Sequence, residues 1–253
     1  GSFLRWDAPA VHGPIDHAYA AELDQARQRS GLDESVVTGE GRLRGRRVAV
    51  AACEFDFLAG SIGVASAERL VSAVERATAE GLPLLAAPVS AGTRMQEGTV
   101  AFLQMVKISA AIAAHKSAGL PYLVYLRHPT TGGVLASWGS LGHVTVAEPG
   151  ALIGFLGPRV YRALSGREFP AGVQVAENLY ARGLIDAVLA PEELAPMADR
   201  TLTVLMSPRE GHPPAVPIPV EDLPDIPAWE SITRSRRPDR PGLRRLLRYA
   251  ATH

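Results

Sequence analysis

The sequence predicts an α/β fold built around a mainly parallel sheet, and two observations lead to this prediction. Short apolar runs with strand character alternate with longer segments of helical periodicity, which is the pattern of repeated β-α-β units. Two glycine-containing loops, 90–98 and 130–134, each lie between an apolar run and a helix-like segment. The 253 residues are enough to bury a sizeable core in one large or two small domains.

Helix signals and turn residues define the first elements. Residues 16–29 are polar and alanine-rich, and Asp16 and Gly31 are a suitable N-cap and C-terminal stop, so a helix is predicted there. Strands are expected at 36–37 and 47–57, with turns marked by Gly39, Gly41 and Gly45. The period then changes and predicts, in order, a helix at 65–80, a strand at 83–89 and a helix at 95–118.

The later part of the chain repeats this alternation. Strands are predicted at 121–126, 144–147 and 151–154, and helices are expected after Gly133 and from about Pro158, Val173 and Pro191. From Pro208 to Pro241 the composition is proline-rich and polar, as in linkers, and an arginine-rich helix-like run follows at 243–251. We therefore expect one domain at 1–207 and a linker with a helix at 208–253.

Composition excludes several function classes. The formal net charge is zero and the pI is near 7.2, so bulk attraction to nucleic acid or to a membrane is not expected. No apolar stretch reaches the roughly 20 residues of a membrane span, and no signal peptide opens the chain, which predicts a soluble cytoplasmic protein. The start, Gly1-Ser2-Phe3, is typical of a fragment boundary or tag remnant. Cys53 is the single cysteine and the histidines are scattered, so neither a disulfide nor a metal site is expected.

Both glycine loops are candidate oxyanion holes. Glycine lets the backbone approach a ligand, and the first N–H groups of a helix lack intrahelical partners and lie at the positive end of its dipole. Tight strand-to-helix turns also need glycine for steric reasons alone, so the loops by themselves leave both interpretations open.

Four motifs together make the sequence similar to a known family. They are Phe55 to Gly63, Ser90 to Gly98, Pro129 to Ser137 and Ala147 to Val160. In order and spacing they resemble the β subunit of biotin-dependent acetyl-CoA (acyl-CoA) carboxylase carboxyltransferases, over about residues 16–205. The resemblance implies a crotonase-like ββα spiral.

The resemblance also implies a reaction and its partners. The family transfers a carboxyl group from carboxybiotin, held on a biotin carboxyl carrier protein, to the α-carbon of an acyl-CoA thioester. The α-carbon reacts as an enolate, whose oxygen is stabilised by backbone N–H groups. Gly132 and Gly133 match the family's oxyanion pair, and the departing biotin anion is thought to take the proton. An α half completes the site, either as a separate chain or as a continuation past His253, and the assembly is an oligomer.

The other loop departs from the family pattern, which usually has Ser-Gly-Gly-Ala-Arg. Here Ala91 and Thr93 flank Gly92, and a positive φ at Ala91 would cost about 1 kcal/mol or more. Gly92 and Thr93 are nevertheless expected to form the second donor loop. Arg94 either contacts a CoA phosphate or fixes the loop through an ion pair with Glu97 or another acid.

Further positions are expected to contact the substrate or to be structural. Gly60, Ser61 and Gly63 precede a helix and suit either a CoA phosphate or a simple helix start. Gly154 and Gly157 are expected to line the pantetheine channel. His128 and His143 stand where the family often has aspartate, and we interpret them as hydrogen-bonded structural residues.

Two alternatives to an acyl-CoA carboxylase remain from the sequence. One is the related β subunit of a malonate decarboxylase, although the loop at 94–98 and the Thr-Thr-Gly-Gly turn favour the carboxylase. The other is a non-catalytic scaffold in which Ala91 and Thr93 have spoiled one donor loop. Such a scaffold would not bind a CoA thioester productively.

Overall fold

The computed structural model describes residues 2–207 and 226–240, together with 242, 243, 245 and 248. By its internal contacts the chain forms two units, residues 1–207 and 208–253. The first unit contains the sheet and most of the helices and is described first.

The strands of the first unit form a seven-stranded sheet of order β1-β2-β3-β4-β5-β7-β9 and a two-stranded sheet of β6 and β8. Pairing is antiparallel between β1, β2 and β3 and parallel everywhere else. The strands are β1 (Leu4–Arg5), β2 (Val36–Leu43), β3 (Arg46–Cys53), β4 (Leu84–Ala87), β5 (Tyr122–Leu126), β6 (Thr130–Thr131), β7 (Val144–Ala147), β8 (Ile153–Gly154) and β9 (Ala187–Val188).

The helices alternate with these strands as the sequence predicts. They are α1 (His17–Ser30), α2 (Val64–Ala79), α3 (Gly98–Ser117), α4 (Pro158–Ser165), α5 (Ala176–Ala181) and α6 (Pro191–Met206). A single π-helical turn, Leu135–Gly139, follows the second glycine loop. The mixed α/β architecture with a predominantly parallel sheet is confirmed.

The first elements show where the sequence prediction holds and where it is wrong. Helix α1 begins and ends as expected, because the Asp16 side chain accepts the Tyr19 N–H and Gly31 adopts a left-handed conformation. Gly39 and Gly41, in contrast, lie inside β2 and not in turns. At Gly39 a Cβ would lie 2.4 Å from the Leu4 carbonyl oxygen, so the glycine permits the close approach of β1.

The end of β3 is also earlier than predicted. The strand stops at Cys53, and the chain then turns through Leu58, Ala59 and Gly60, all three with positive φ (46°, 55° and 64°). Left-handed backbone costs a non-glycine residue roughly 1–2 kcal/mol. This strained turn ends next to the loop at 90–94, where the Ala59 carbonyl accepts the Ala91 N–H at 2.9 Å.

Helices cover both faces of the parallel strands, as alternating side chains require. On one face, alternate strand residues such as Ala49, Leu84 and Tyr122 pack with α2, α3 and the fully buried Trp138. On the other face, Val48 and Leu123 pack against Leu202 and its neighbours on α6. The sheet is therefore the rigid centre from which the loops at 90–94 and 130–134 extend.

Helix α3 carries an apolar outer face. The expectation that no apolar stretch reaches the length of a membrane span is corrected here, because Met95–Ser117 is long and apolar enough to cross a membrane by length and composition alone. In the fold, 28% of its apolar window is buried. The buried side includes Met105, Ile108 and Ile112. The exposed side includes Val100, Phe102, Leu103 and Val106, each more than half exposed.

In the second unit a helix, α7 (Ala228–Ser235), lies inside the stretch predicted to be linker. It begins directly after Pro227, and an ion pair between Glu230 and Arg234 links successive turns. That part of the linker prediction is wrong. The predicted linker at 208–225 and most of the predicted helix at 243–251 lie outside the described residues.

Candidate active site

The two glycine loops are in direct backbone contact. Ser90 pairs with Thr130 in a parallel bridge, with the Ser90 N–H donating to the Pro129 carbonyl at 2.7 Å and the Thr131 N–H to the Ser90 carbonyl at 2.9 Å. A Cβ placed on Gly132 would lie 3.3 Å from the Gly92 Cα. The two loops therefore lie side by side, because each follows one of two neighbouring parallel strands, β4 and β5.

In the 130–134 loop, Gly133 and Val134 carry the unbonded N–H groups. The Gly132 N–H donates to the carbonyls of Gly154 and Phe155 at 3.1 and 3.0 Å, because the pairing of β6 with β8 continues to this residue. The N–H groups of Gly133 and Val134 have no protein acceptor among the described residues, since they open the helical turn that follows. The sequence-based choice of Gly132 as a donor is corrected to Val134, which the first-turn position of that residue could have indicated.

The 90–94 loop supplies another unbonded N–H. Gly92 has a φ of 120°, which L side chains rarely adopt, and its N–H donates to the Ser90 hydroxyl at 3.0 Å. The Thr93 N–H has no acceptor in the described part of the chain. The Thr93 methyl lies 3.2 Å from the position of a Cβ on Gly133, so residues with free donors from both loops are in contact.

Ala91 does not carry the strain that a positive φ would impose. Among the described non-glycine residues, positive φ occurs at Arg44, Leu58 and Ala59 only. The left-handed position of the loop is Gly92, which the sequence supplies. The departure from the family pattern at Ala91 therefore imposes no left-handed strain on the loop.

Arg94 is enclosed within the protein. Its guanidinium forms a two-pronged ion pair with Glu34 (2.5 and 2.8 Å), and both side chains are fully buried. Burial opposes the charge, but the hydrogen bonds and charge of Glu34 outweigh it, so the pKa of Arg94 lies above its ordinary value. This burial excludes contact between Arg94 and a CoA phosphate. It supports the alternative in which Arg94 fixes the loop through an ion pair with an acid. Nothing in the local sequence identifies Glu34, which lies 60 residues away from Arg94.

The 60–63 segment is likewise used inside the fold. A Cβ on Gly60 would lie 2.0 Å from the Val89 carbonyl oxygen, and the Ser61 carbonyl accepts a hydrogen bond from Arg94 at 2.7 Å. The Gly63 N–H donates to Ser66, and the Glu97 carboxylate accepts the Val64 N–H at the start of α2. An acid from the protein therefore occupies the anion position at this helix start. For Gly60, Ser61 and Gly63 the structure therefore favours the helix-start alternative over the expected substrate contacts.

Gly154 and Gly157 differ in their surroundings. The Gly154 carbonyl holds Gly132, and a Cβ on Gly154 would collide with the Gln174 side chain at 2.3 Å, so this residue supports the loop from behind. Gln174 in turn donates to the Leu156 carbonyl at 2.8 Å, a link that the sequence did not reveal. A Cβ on Gly157, which precedes α4, would meet nothing within 4 Å. A channel role for Gly157 stays a prediction.

The two unusual histidines make structural hydrogen bonds. His128 Nδ1 accepts the Leu152 N–H at 3.1 Å, and His143 Nδ1 accepts the Tyr122 N–H at 3.0 Å. Burial, together with nearby Lys116, lowers the pKa of His143, which favours the neutral acceptor form. Within the described residues, no three His, Cys, Asp or Glu side chains cluster as a metal site would need.

Comparison with known proteins identifies the family. The carboxyl transferase domain family model matches residues 8–252. The chain belongs to this family. It is 68% identical over 253 residues to a probable biotin-dependent acyl-coenzyme A carboxylase beta3 subunit of Mycobacterium tuberculosis, covering 100% of this chain and 50% of that protein. It is 43% identical over 192 residues to the acetyl-coenzyme A carboxylase carboxyl transferase subunit beta of Opitutus terrae, covering 76% of this chain and 66% of that protein.

Solved structures of related proteins share the fold of this carboxyl transferase domain. Transcarboxylase 12S with hydrolysed methylmalonyl-coenzyme A bound has a TM-score of 0.68 at 24% identity, covering 80% of this chain and 39% of that one. A Pseudomonas malonate decarboxylase hetero-dimer has a TM-score of 0.61 at 27% identity, covering 71% of this chain and 86% of that one. These matches confirm the crotonase-like carboxyltransferase fold. The domain spans about half the length of the acyl-CoA carboxylase subunits that it matches at 68% identity.

Proposed function

We propose that this domain is the β half of the carboxyltransferase of a biotin-dependent acyl-CoA carboxylase. The observation that carries the proposal is the contact between two loops that each present unbonded backbone N–H groups, Gly133 and Val134 on one and Thr93 on the other. The family and the mycobacterial relative support it.

The paired donors on Gly133 and Val134 suit the thioester oxygen of an acyl-CoA. Loss of the α-proton places an electron pair on the α-carbon, and its charge spreads to that oxygen. Fixed N–H dipoles stabilise this charge without reorganising during the reaction, and one such donor is typically worth about a hundred- to a thousandfold in rate. The α-carbon then forms a carbon–carbon bond to the carboxyl group as the bond between that group and the biotin nitrogen breaks, and the α-proton goes to that nitrogen. The product is malonyl-CoA or a methyl-branched relative of use in fatty acid synthesis.

The Thr93 donor is available to a second carbonyl oxygen. Carboxybiotin, brought on a biotin carboxyl carrier protein, would supply the carboxyl group. The residues present fit one part of such a site, because the free N–H of Thr93 lies beside Gly133, and the α half is expected to supply the biotin side. His128 and His143 each use Nδ1 for a backbone N–H, so we assign neither of them as the base.

The proposal includes partners that this domain does not contain. An α half, as a separate chain or a continuation, would complete the site, and the assembly would be a cytoplasmic oligomer. No metal takes part in the proposed chemistry. The intact loop at Gly92 supports an enzyme over a spoiled scaffold, since Ala91 is not forced into a left-handed conformation.

A reconstitution experiment tests the function. The domain is produced with the rest of its enzyme, and carboxybiotin-dependent carboxylation of acetyl-, propionyl- and longer acyl-CoA is followed beside decarboxylation of malonate. We expect carboxylation of at least one thioester. Malonate decarboxylation without carboxylation would favour the decarboxylase alternative, and failure to bind any CoA thioester would favour the scaffold.

A further inference from the structure

A buried polar cluster lies behind the loop that presents Thr93, and we call it the Arg94 cluster. Besides its ion pair with Glu34, Arg94 donates to the Tyr19 hydroxyl at 3.3 Å and to the Ser61 carbonyl at 2.7 Å. Tyr19 itself donates to the Glu97 carboxylate. The cluster therefore joins α1, the turn before α2, and the loop itself.

Global stability alone does not account for such a cluster. Replacing a buried ion pair with apolar side chains of similar volume is often neutral or stabilising, because desolvation offsets the attraction. The same domain contains a second buried arginine, Arg69, whose side chain is 4% exposed and donates to Asp33 and to the Val36 carbonyl. Arg69 is not part of either glycine loop and offers a matched comparison.

The backbone around Thr93 is fixed on both sides. The Ala91 N–H donates to Ala59 in the strained turn, the Gly92 carbonyl accepts the Ile62 N–H at 3.0 Å, and the Arg94 N–H donates to the Ile62 carbonyl at 2.9 Å. Thr93 lies between these bonds and keeps its own N–H free. Arg94 is the residue directly after Thr93, so its ion pair determines where the end of this short span is held.

We propose that Arg94 and Glu34 are positioning residues that hold the Thr93 N–H as a preorganised donor beside the Gly133 loop. The inference rests on the proposed function, because the held donor matters only if an acceptor is bound there. An incorrectly placed donor lowers turnover, and it leaves acyl-CoA binding unchanged if the thioester depends on Gly133 and Val134.

Two isosteric or charge-conserving variants test this, Glu34→Gln and Arg94→Lys, with Arg69→Lys as the matched control. In the 253-residue chain, amide hydrogen exchange is measured at Ala91, Gly92 and Arg94. We expect at least tenfold faster exchange in the two test variants and no change at these amides in the control. In the assembled enzyme we expect kcat to fall at least tenfold, with KM for acyl-CoA within twofold of the wild type.

A milder variant covers the case in which Glu34→Gln and Arg94→Lys fail to fold. Tyr19→Phe removes one contact of Arg94 and keeps the ion pair, so we expect a smaller change of the same kind in exchange and in kcat. Unchanged exchange at the loop, or an equal effect in Arg69→Lys, would overturn the positioning role. Faster exchange with full turnover would overturn it as well. If the wild-type assembly transfers no carboxyl group, the proposed function fails, while the exchange data still decide whether the cluster holds the loop.

Discussion

Substitution of Gly133 is the most direct test of the proposed enolate donors. A Cβ at this position would lie 3.2 Å from the Thr93 methyl and 3.4 Å from Met105 Cγ, both shorter than an optimal carbon–carbon contact of about 3.5–4.0 Å. In Gly133→Ala the neighbours therefore must move by a few tenths of an ångström. Since a misplacement of 1 Å can cost about a hundredfold, we expect alanine to reduce kcat by about three- to fivefold.

Valine at the same position should have a much larger effect. Its two additional carbons enter the crowded space beside Thr93, so the Gly133 N–H is displaced or covered. Loss of one such donor costs about 2.7–4 kcal/mol, which corresponds to at least a hundredfold in turnover of the assembled enzyme. The free energy of unfolding should change less than the activation barrier.

The control is Gly41→Val, at a strand position where the nearest atom to a Cβ is Ser2 Oγ at 3.9 Å. Steady-state kinetics on the assembled enzyme and chemical denaturation of each variant are the measurements. Equal activity of Gly133→Val and Gly41→Val would refute the donor assignment. A loss explained wholly by unfolding would do the same.

Three further outcomes are expected. The isolated 253-residue chain should bind CoA thioesters weakly in calorimetry and show negligible carboxyltransferase activity, because it holds one half of the proposed site; robust turnover with a free biotin derivative would contradict this. His128→Ala and His143→Ala should each reduce kcat far less than Gly133→Val, and a reversed order would indicate side-chain acid–base catalysis. Burial lowers the pKa of His115, so its neutral form is favoured in the folded state and stability should fall as pH drops below about 6.5, the pKa of the unfolded side chain. Denaturation of His115→Gln between pH 7.5 and 5.5 should show a smaller fall, and an identical slope would exclude this contribution.

Much of the fold was predictable because local signals agree with tertiary packing. Helix α1 has its cap and stop residues in the sequence, and the central parallel strand β5 is apolar and buried on both faces. The predictions were wrong where tertiary contacts decide conformation. Gly39 resembles a turn residue but lies in a strand, since its missing side chain admits the neighbouring strand.

The candidate site was predictable to the level of the loops and not of the atoms. The sequence indicates the two segments on which the structure shows unbonded N–H groups, because glycine before a helical run signals exposed N–H groups. It could not show that Gly132 bonds to Gly154 and Phe155, nor that Arg94 pairs with Glu34. Those partners are brought together by the sheet and leave no local pattern.

The unbonded N–H groups on the two loops belong to the peptide chain and not to side chains. A peptide N–H does not titrate between pH 5 and 9, so these donors keep their hydrogen-bonding capacity throughout that range. Most substitutions also leave these N–H groups in place, provided that the backbone path is kept, because every residue except proline carries one. Ala91 and Thr93 illustrate this, since both differ from the usual family residues, yet neither has a positive φ and the Thr93 N–H is free. In this kind of site the chemistry depends on the course of the main chain more than on which side chains the loop carries.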